Sequence, residues 1–168
     1  GNEKLVRVLE NASAHLRGLL TRQGRPDGAL RIITSADGET WESAGLITSA
    51  NSDLRDAKIT ITPGGQLMLS GAEAMNKPAG YKHQSLTWFS DDGRSWSERF
   101  EVADRDFWLW RTTWHKGKAY GFGYGCRNDN QWIRLYTSTD GPGWLRKENW
   151  LVTPTVDDWF GVTVSGGH

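Results

Sequence analysis

Along much of the chain, apolar and polar residues alternate with a period of two, in short runs closed off by Gly, Pro, Asn and Asp. That period belongs to strands that bury one face. The cleanest stretch reads as a strand over residues 58–62, a tight turn at Pro63-Gly64-Gly65, and further strands over 66–71, 83–89 and 96–102. The same order recurs downstream, with strands over 111–114, 118–124, 131–137 and 144–152 and a turn at His115-Lys116-Gly117. Residues 4–9, 29–34 and 160–164 read as three more strands. Over residues 3–20 a helix competes, because Leu5, Leu9, Ala12, Leu16 and Leu19 fall at helical spacing; the repeat described next favours a strand at 4–9.

A motif sits between the third and fourth strands of each set. Ser-x-Asp-Gly-x-x-Trp occurs at residues 35–41 (SADGETW), 90–96 (SDDGRSW) and 138–144 (STDGPGW). Three copies in register make this a repeat protein. The Asp carboxylate can accept from backbone N–H groups of its own turn, and the Gly supplies the positive φ that the reversal needs. The Trp then packs its large ring on the sheet. Asp37, Asp92 and Asp140, with Trp41, Trp96 and Trp144, are thus expected to be structural, not catalytic.

From Asp37 to Asp92 the spacing is 55 residues and from Asp92 to Asp140 it is 48, in the range of four-stranded propeller blades. The expected fold is all-β, three blades' worth of a propeller in about twelve strands: blade one at about 4–50, blade two at about 53–102, blade three at about 106–152, and an extra first strand at about 158–165. Three blades do not close a ring. Either two chains exchange the strand at 160–164 and form a six-bladed homodimer, or the sequence is part of a longer protein.

Composition narrows the partners. Twenty basic and twenty acidic residues cancel without runs of like charge, which recommends neither nucleic acid nor an anionic membrane. No apolar run is long enough for a helical membrane span. The single Cys126 excludes an internal disulfide, and His15, His83, His115 and Cys126 lack metal-ligand spacing. No metal or cofactor is expected.

The three motifs, together with DLRDAKITITPGGQLMLSG at residues 53–71 and FWLWRTTWHKGKAYGFGYG at 107–125, resemble the Asp-box (BNR repeat) sialidase superfamily, in particular its bacterial sialidase-like members. The resemblance covers nearly the whole chain and about half of a six-bladed member. It implies an exo-acting glycoside hydrolase on sialic-acid-type glycans, with three arginines gripping the carboxylate, a Tyr paired with a Glu as nucleophile and an Asp as acid/base. It also implies a secreted or periplasmic bacterial setting. No Tyr–Glu pair is assignable here, and Leu9 precedes Glu10 where relatives often carry Arg. The alternative is a non-catalytic half-propeller, a scaffold or glycan-binding module.

Chain topology places any site opposite the Ser-x-Asp-Gly turns, where the loops between second and third strands meet the blade crossovers. The substrate-binding candidates there are Arg55, Asp56, Glu73, His83, Trp110, Arg111, Tyr124, Arg127 and Asp157. Glu10, His15, Arg17, Asp53, Lys82, Asp106, Trp108, Asp129 and Asp158 share that end. A carbohydrate or small anionic ligand is expected there, and arginines suit the task because a guanidinium binds a carboxylate bidentately and stays charged. Each candidate also has a plainer reading: Arg55 paired with Asp56, Arg111 paired with Asp106, and the tryptophans as core.

Overall fold

A computed structural model describes residues 5–10, 28–127, 132–139 and 145–151, with side chains described over 28–127 and 133–139. The described chain is all-β and forms three antiparallel sheets in sequence order. The first holds β1 (Leu5–Glu10), β2 (Ala29–Ser35) and β3 (Glu42–Thr48). The second holds β4 (Ser52–Ile61), β5 (Leu67–Met75), β6 (His83–Ser90) and β7 (Phe100–Val102). The third holds β8 (Phe107–His115), β9 (Lys118–Gly125), β10 (Trp132–Ser138) and β11 (Leu145–Leu151). Each sheet is a simple meander, the blade of a β-propeller. The strand expected at 160–164, Asp140 and Trp144 lie outside the described residues.

The residues that alternate inward are those that join the sheets. Leu30 of β2 packs with Leu54, Leu69, Leu86 and Trp88 of the second sheet. On that sheet's other face, Met68 and Val102 pack with Leu109, Ala119 and Tyr136 of the third. Burying each leucine, valine or methionine among them contributes about 1.5–3 kcal/mol. Ser85 stitches the same interface, since its hydroxyl donates to the Phe107 carbonyl at 3.1 Å and accepts from the Leu109 N–H at 2.8 Å.

Both described copies of the motif fold alike. Asp37 Oδ1 accepts from the N–H groups of Glu39 and Thr40 at 2.9 and 2.8 Å, and Asp92 Oδ1 from those of Arg94 and Ser95 at 2.7 Å each. The motif serines receive Gly38 and Gly93 N–H at 2.8 Å, and both glycines have positive φ. Gln66 Nε2 donates to Asp91 Oδ1 at 3.0 Å, which puts the β4–β5 turn at the same end as the motif.

Four strands differ from expectation. β5 runs on to Met75, past residue 71, so Glu73 sits within a strand and not on the β5–β6 loop. β4 begins at Ser52, not at residue 58, and β8 begins at Phe107, not at 111. In both, one extra residue interrupts the ladder, between Arg55 and Lys58 and between Leu109 and Thr112. Such a bulge breaks the period of two, so the upstream half reads out of phase. β7 is only Phe100–Val102, where a strand over 96–102 was expected. Ser97 accounts for this: its N–H donates to the Phe89 carbonyl, but its hydroxyl replaces the backbone carbonyl in receiving Phe89 N–H, and the regular ladder stops.

Candidate functional site

At the end opposite the motif turns, the β5–β6 loop and the crossover into β8 meet the end of β9. Between them lies a groove of about 290 Å³ lined by Pro78, Gly80, Tyr81, Lys82, His83, Asp106, Cys126 and Arg127. Asp106 organises it. Its Oδ1 accepts from the N–H groups of Lys82 and His83 at 2.8 and 3.0 Å. Its own N–H donates to the His83 carbonyl, and its carbonyl receives Cys126 N–H at 2.8 Å. To make these contacts Asp106 takes φ 57°, a left-handed conformation that Asp tolerates better than most residues. One residue, through its carboxylate and its backbone, thereby joins three segments that are distant in sequence.

Cations line or flank the groove. Arg127 Nη1 lies 3.9 Å from Asp106 Oδ2, Lys82 lines the groove, and the Arg105 guanidinium sits 4.3 Å from the Tyr81 ring centroid. His83 Nδ1 is buried, 3.8 Å from Asp106 Oδ1, and makes no hydrogen bond with any described residue. Burial first, then the Lys82 and Arg55 charges, lower the His83 pKa against the opposing pull of Asp106, so the ring is neutral at pH 7. Cys126 is no activated nucleophile: burial and Asp106 push its thiol up to about 11.

The remaining candidates divide. Arg55 is exposed and held by Asp53, with Nε and Nη2 each 2.7 Å from Asp53 Oδ2; the pairing is with Asp53 and not with Asp56. Asp56 lies in the β4 bulge at φ 54°. Trp110 and Arg111 occupy the matching bulge of β8, and Arg111 does not pair with Asp106. Trp110 is 48 % exposed and Tyr124 43 %, whereas Trp108 is buried with its ring 5.4 Å from that of His83. Burial, then Cys126 and Asp56, raise the Tyr124 pKa, opposite to what a phenolate nucleophile needs.

Glu73 lies inside the second sheet at 1 % exposure, where Oε2 accepts from Ser52 at 2.6 Å and Arg99 at 3.0 Å. It faces the first sheet and is not part of the groove. His15, Arg17, Asp129, Asp157 and Asp158 lie outside the described residues, as does the side chain of Glu10.

Sequence reasoning missed Tyr81, Arg105 and Cys126. Tyr81-Lys82-His83 and Arg105-Asp106 are adjacent in sequence to selected residues, which is the signal that was present. It also missed a buttress in which Asp104 Oδ2 accepts from Arg134 Nη1 and the Tyr136 hydroxyl, both at 2.7 Å.

No protein-family model matches the chain, and no curated protein matches it. Solved structures do. A point mutant of the α-L-arabinofuranosidase Arb93A from Fusarium graminearum, bound to an iminosugar inhibitor, is similar over 86 % of this chain and 44 % of that one, with a TM-score of 0.60 and 12 % identity. A second inhibitor-bound structure of Arb93A is similar over 71 % of this chain and 40 % of that one, with a TM-score of 0.51 and 16 % identity. The chain spans less than half the length of these structures, and at such identities the likeness is one of fold, a β-propeller seen in glycoside hydrolases.

Proposed function

We propose that the chain is a saccharide-recognising propeller segment whose groove takes an anionic sugar. The observation that carries this reading is the charge balance of the groove. Asp106, the single lining carboxylate among the described residues, is engaged by backbone N–H groups, while Lys82 and Arg127 line the same space and Arg105 stands on Tyr81. A sugar carboxylate would meet Arg127 and Lys82. Titration with N-acetylneuraminic acid tests the proposal. Arg127→Ala should weaken binding about tenfold, the usual scale for a charge-assisted hydrogen bond. Neutral arabinose binding as tightly as the acid sugar would exclude the anionic reading.

A second reading, an exo-acting glycoside hydrolase of sialidase type, draws support from the shared fold of the arabinofuranosidase structures. Hydrolysis needs a second catalytic group facing the substrate across the groove. Among the described residues lining the groove Asp106 is the sole carboxylate, so that group would come from elsewhere. Release of aryl alcohol from aryl sialosides and aryl arabinofuranosides separates hydrolysis from binding. Ring closure by strand exchange between two copies belongs to the first, non-catalytic reading; a monomeric mass in solution would dismiss it.

A further inference from the structure

The inner strands of the second and third sheets enclose another cavity, of about 310 Å³, lined by Lys58, Ile59, Thr60, Ser70, Arg111 and Thr112. It shares no residue with the groove described above. Among the described residues its lining holds two cations and no carboxylate. Ser70 is 6 % exposed, and neither its Oγ nor the buried Thr112 Oγ1 makes a hydrogen bond with any described residue. Buried hydroxyls without partners cost stability, and native proteins rarely keep them without a reason.

The register explains how these groups converge. Lys58 and Ser70 are cross-strand partners, so both leave the second sheet on the face that meets the third. Thr112 follows directly on the β8 bulge that contains Arg111. Lys58 Nζ gives one N–H to the Asp56 carbonyl at 3.0 Å, which anchors its ammonium at the cavity wall.

We infer that this cleft binds a tetrahedral oxyanion, a sulfate or phosphate group, either free or esterified. Two hydroxyl donors, a guanidinium and an ammonium approach from β4, β5 and β8. Donors arriving from three strands suit a group with acceptors at every corner. A planar carboxylate offers two oxygens and would leave one side of the cleft unmet.

The test is titration of the full chain with sodium sulfate at constant ionic strength, read by calorimetry and by melting temperature. Saturable binding of one sulfate per chain is expected, with a melting temperature that rises with sulfate. Arg111→Ala and Thr112→Val should each weaken sulfate about tenfold or more. Thr112→Val keeps the side-chain shape, and without sulfate it should melt at or above the wild type, because it removes an unpartnered hydroxyl. Arg127→Ala, in the groove, should leave the sulfate affinity intact, so failure here is distinguishable from failure of the saccharide reading. Sulfate affinity unchanged in both cleft variants, or acetate binding equally well, overturns the inference. Glucose 6-sulfate that competes for the same site identifies esters as ligands; failure to compete while sulfate binds confines the site to the free ion.

Discussion

The indole N–H of Trp96 donates to the carbonyl of Gly93 at 3.3 Å, so the last residue of the motif closes the turn begun by the first. Trp41 and Gly38 repeat the contact at 3.2 Å. The ring of Trp96 is half-buried against the cluster of Leu30, Leu54, Leu69, Leu86 and Trp88. Trp96→Ala should therefore cost about 2 kcal/mol, less than full burial of a Trp would imply, and a urea melt checks it. Unchanged stability would remove the structural role of the motif.

The motif also makes the protein acid-sensitive. Backbone N–H groups of Ser95 and Arg94 hold Asp92 down at about 2, from an ordinary 3.8, and those of Thr40 and Glu39 hold Asp37 further below its usual range. A folded-state pKa below the unfolded one adds stability that is present above 3.8 and is lost as pH falls towards 2. Melting temperature should drop over that window. Asp92→Asn should melt lower than wild type at pH 7 and lose less on acidification.

Ser85 is the polar link between the second and third sheets. Ser85→Ala strands the Phe107 carbonyl and the Leu109 N–H in a buried place, and should cost about 2 kcal/mol in a denaturant melt. Ser85→Thr, which keeps the hydroxyl, separates the lost hydrogen bonds from any general intolerance of the position.

Gly123 lies under Tyr136. A Cβ there would stand 2.8 Å from Tyr136 Cε2 and 3.4 Å from the Trp108 carbonyl, and Tyr136 is buried in the interface core with nowhere to move. Gly123→Ala should destabilise by about 1–3 kcal/mol, the scale of overpacking. The double variant Gly123→Ala with Tyr136→Leu should recover part of the loss in the same melt.

Local chemistry explains what was legible in the sequence. The Ser-x-Asp-Gly-x-x-Trp turns satisfy themselves within seven residues, and their geometry follows from residue types alone. Strand period was equally readable wherever the expected and observed bounds agree, as over Lys118–Gly125 and His83–Ser90. The bulges were not, because Asp53-Leu54-Arg55-Asp56 reads as a polar crossover until tertiary pairing with β5 overrides it. The groove depends on Asp106 reaching residues 82 and 83 across more than twenty positions, and no spacing rule announces such a contact. Arg111 and Arg127 were expected on one funnel; they line different cavities because the β8 bulge carries Arg111 towards β4.

The paired bulges in β4 and β8 also change how these strands must be written. Leu109 and Thr112 stand an odd number of positions apart, yet their partners Gly123 and Gly121 share a face of β9, so both point at the second sheet. Leu54 and Ile59 do the same towards the first sheet, through Glu73 and Leu69. Each inner strand is two short alternating words with the parity reset between them. Each word is held to the interface core by its own side chains, while the reset itself is free to carry Asp56 in one blade and Trp110 and Arg111 in the next. Losing one residue at either reset would turn half a strand inside out, so these positions can vary in identity but not in number.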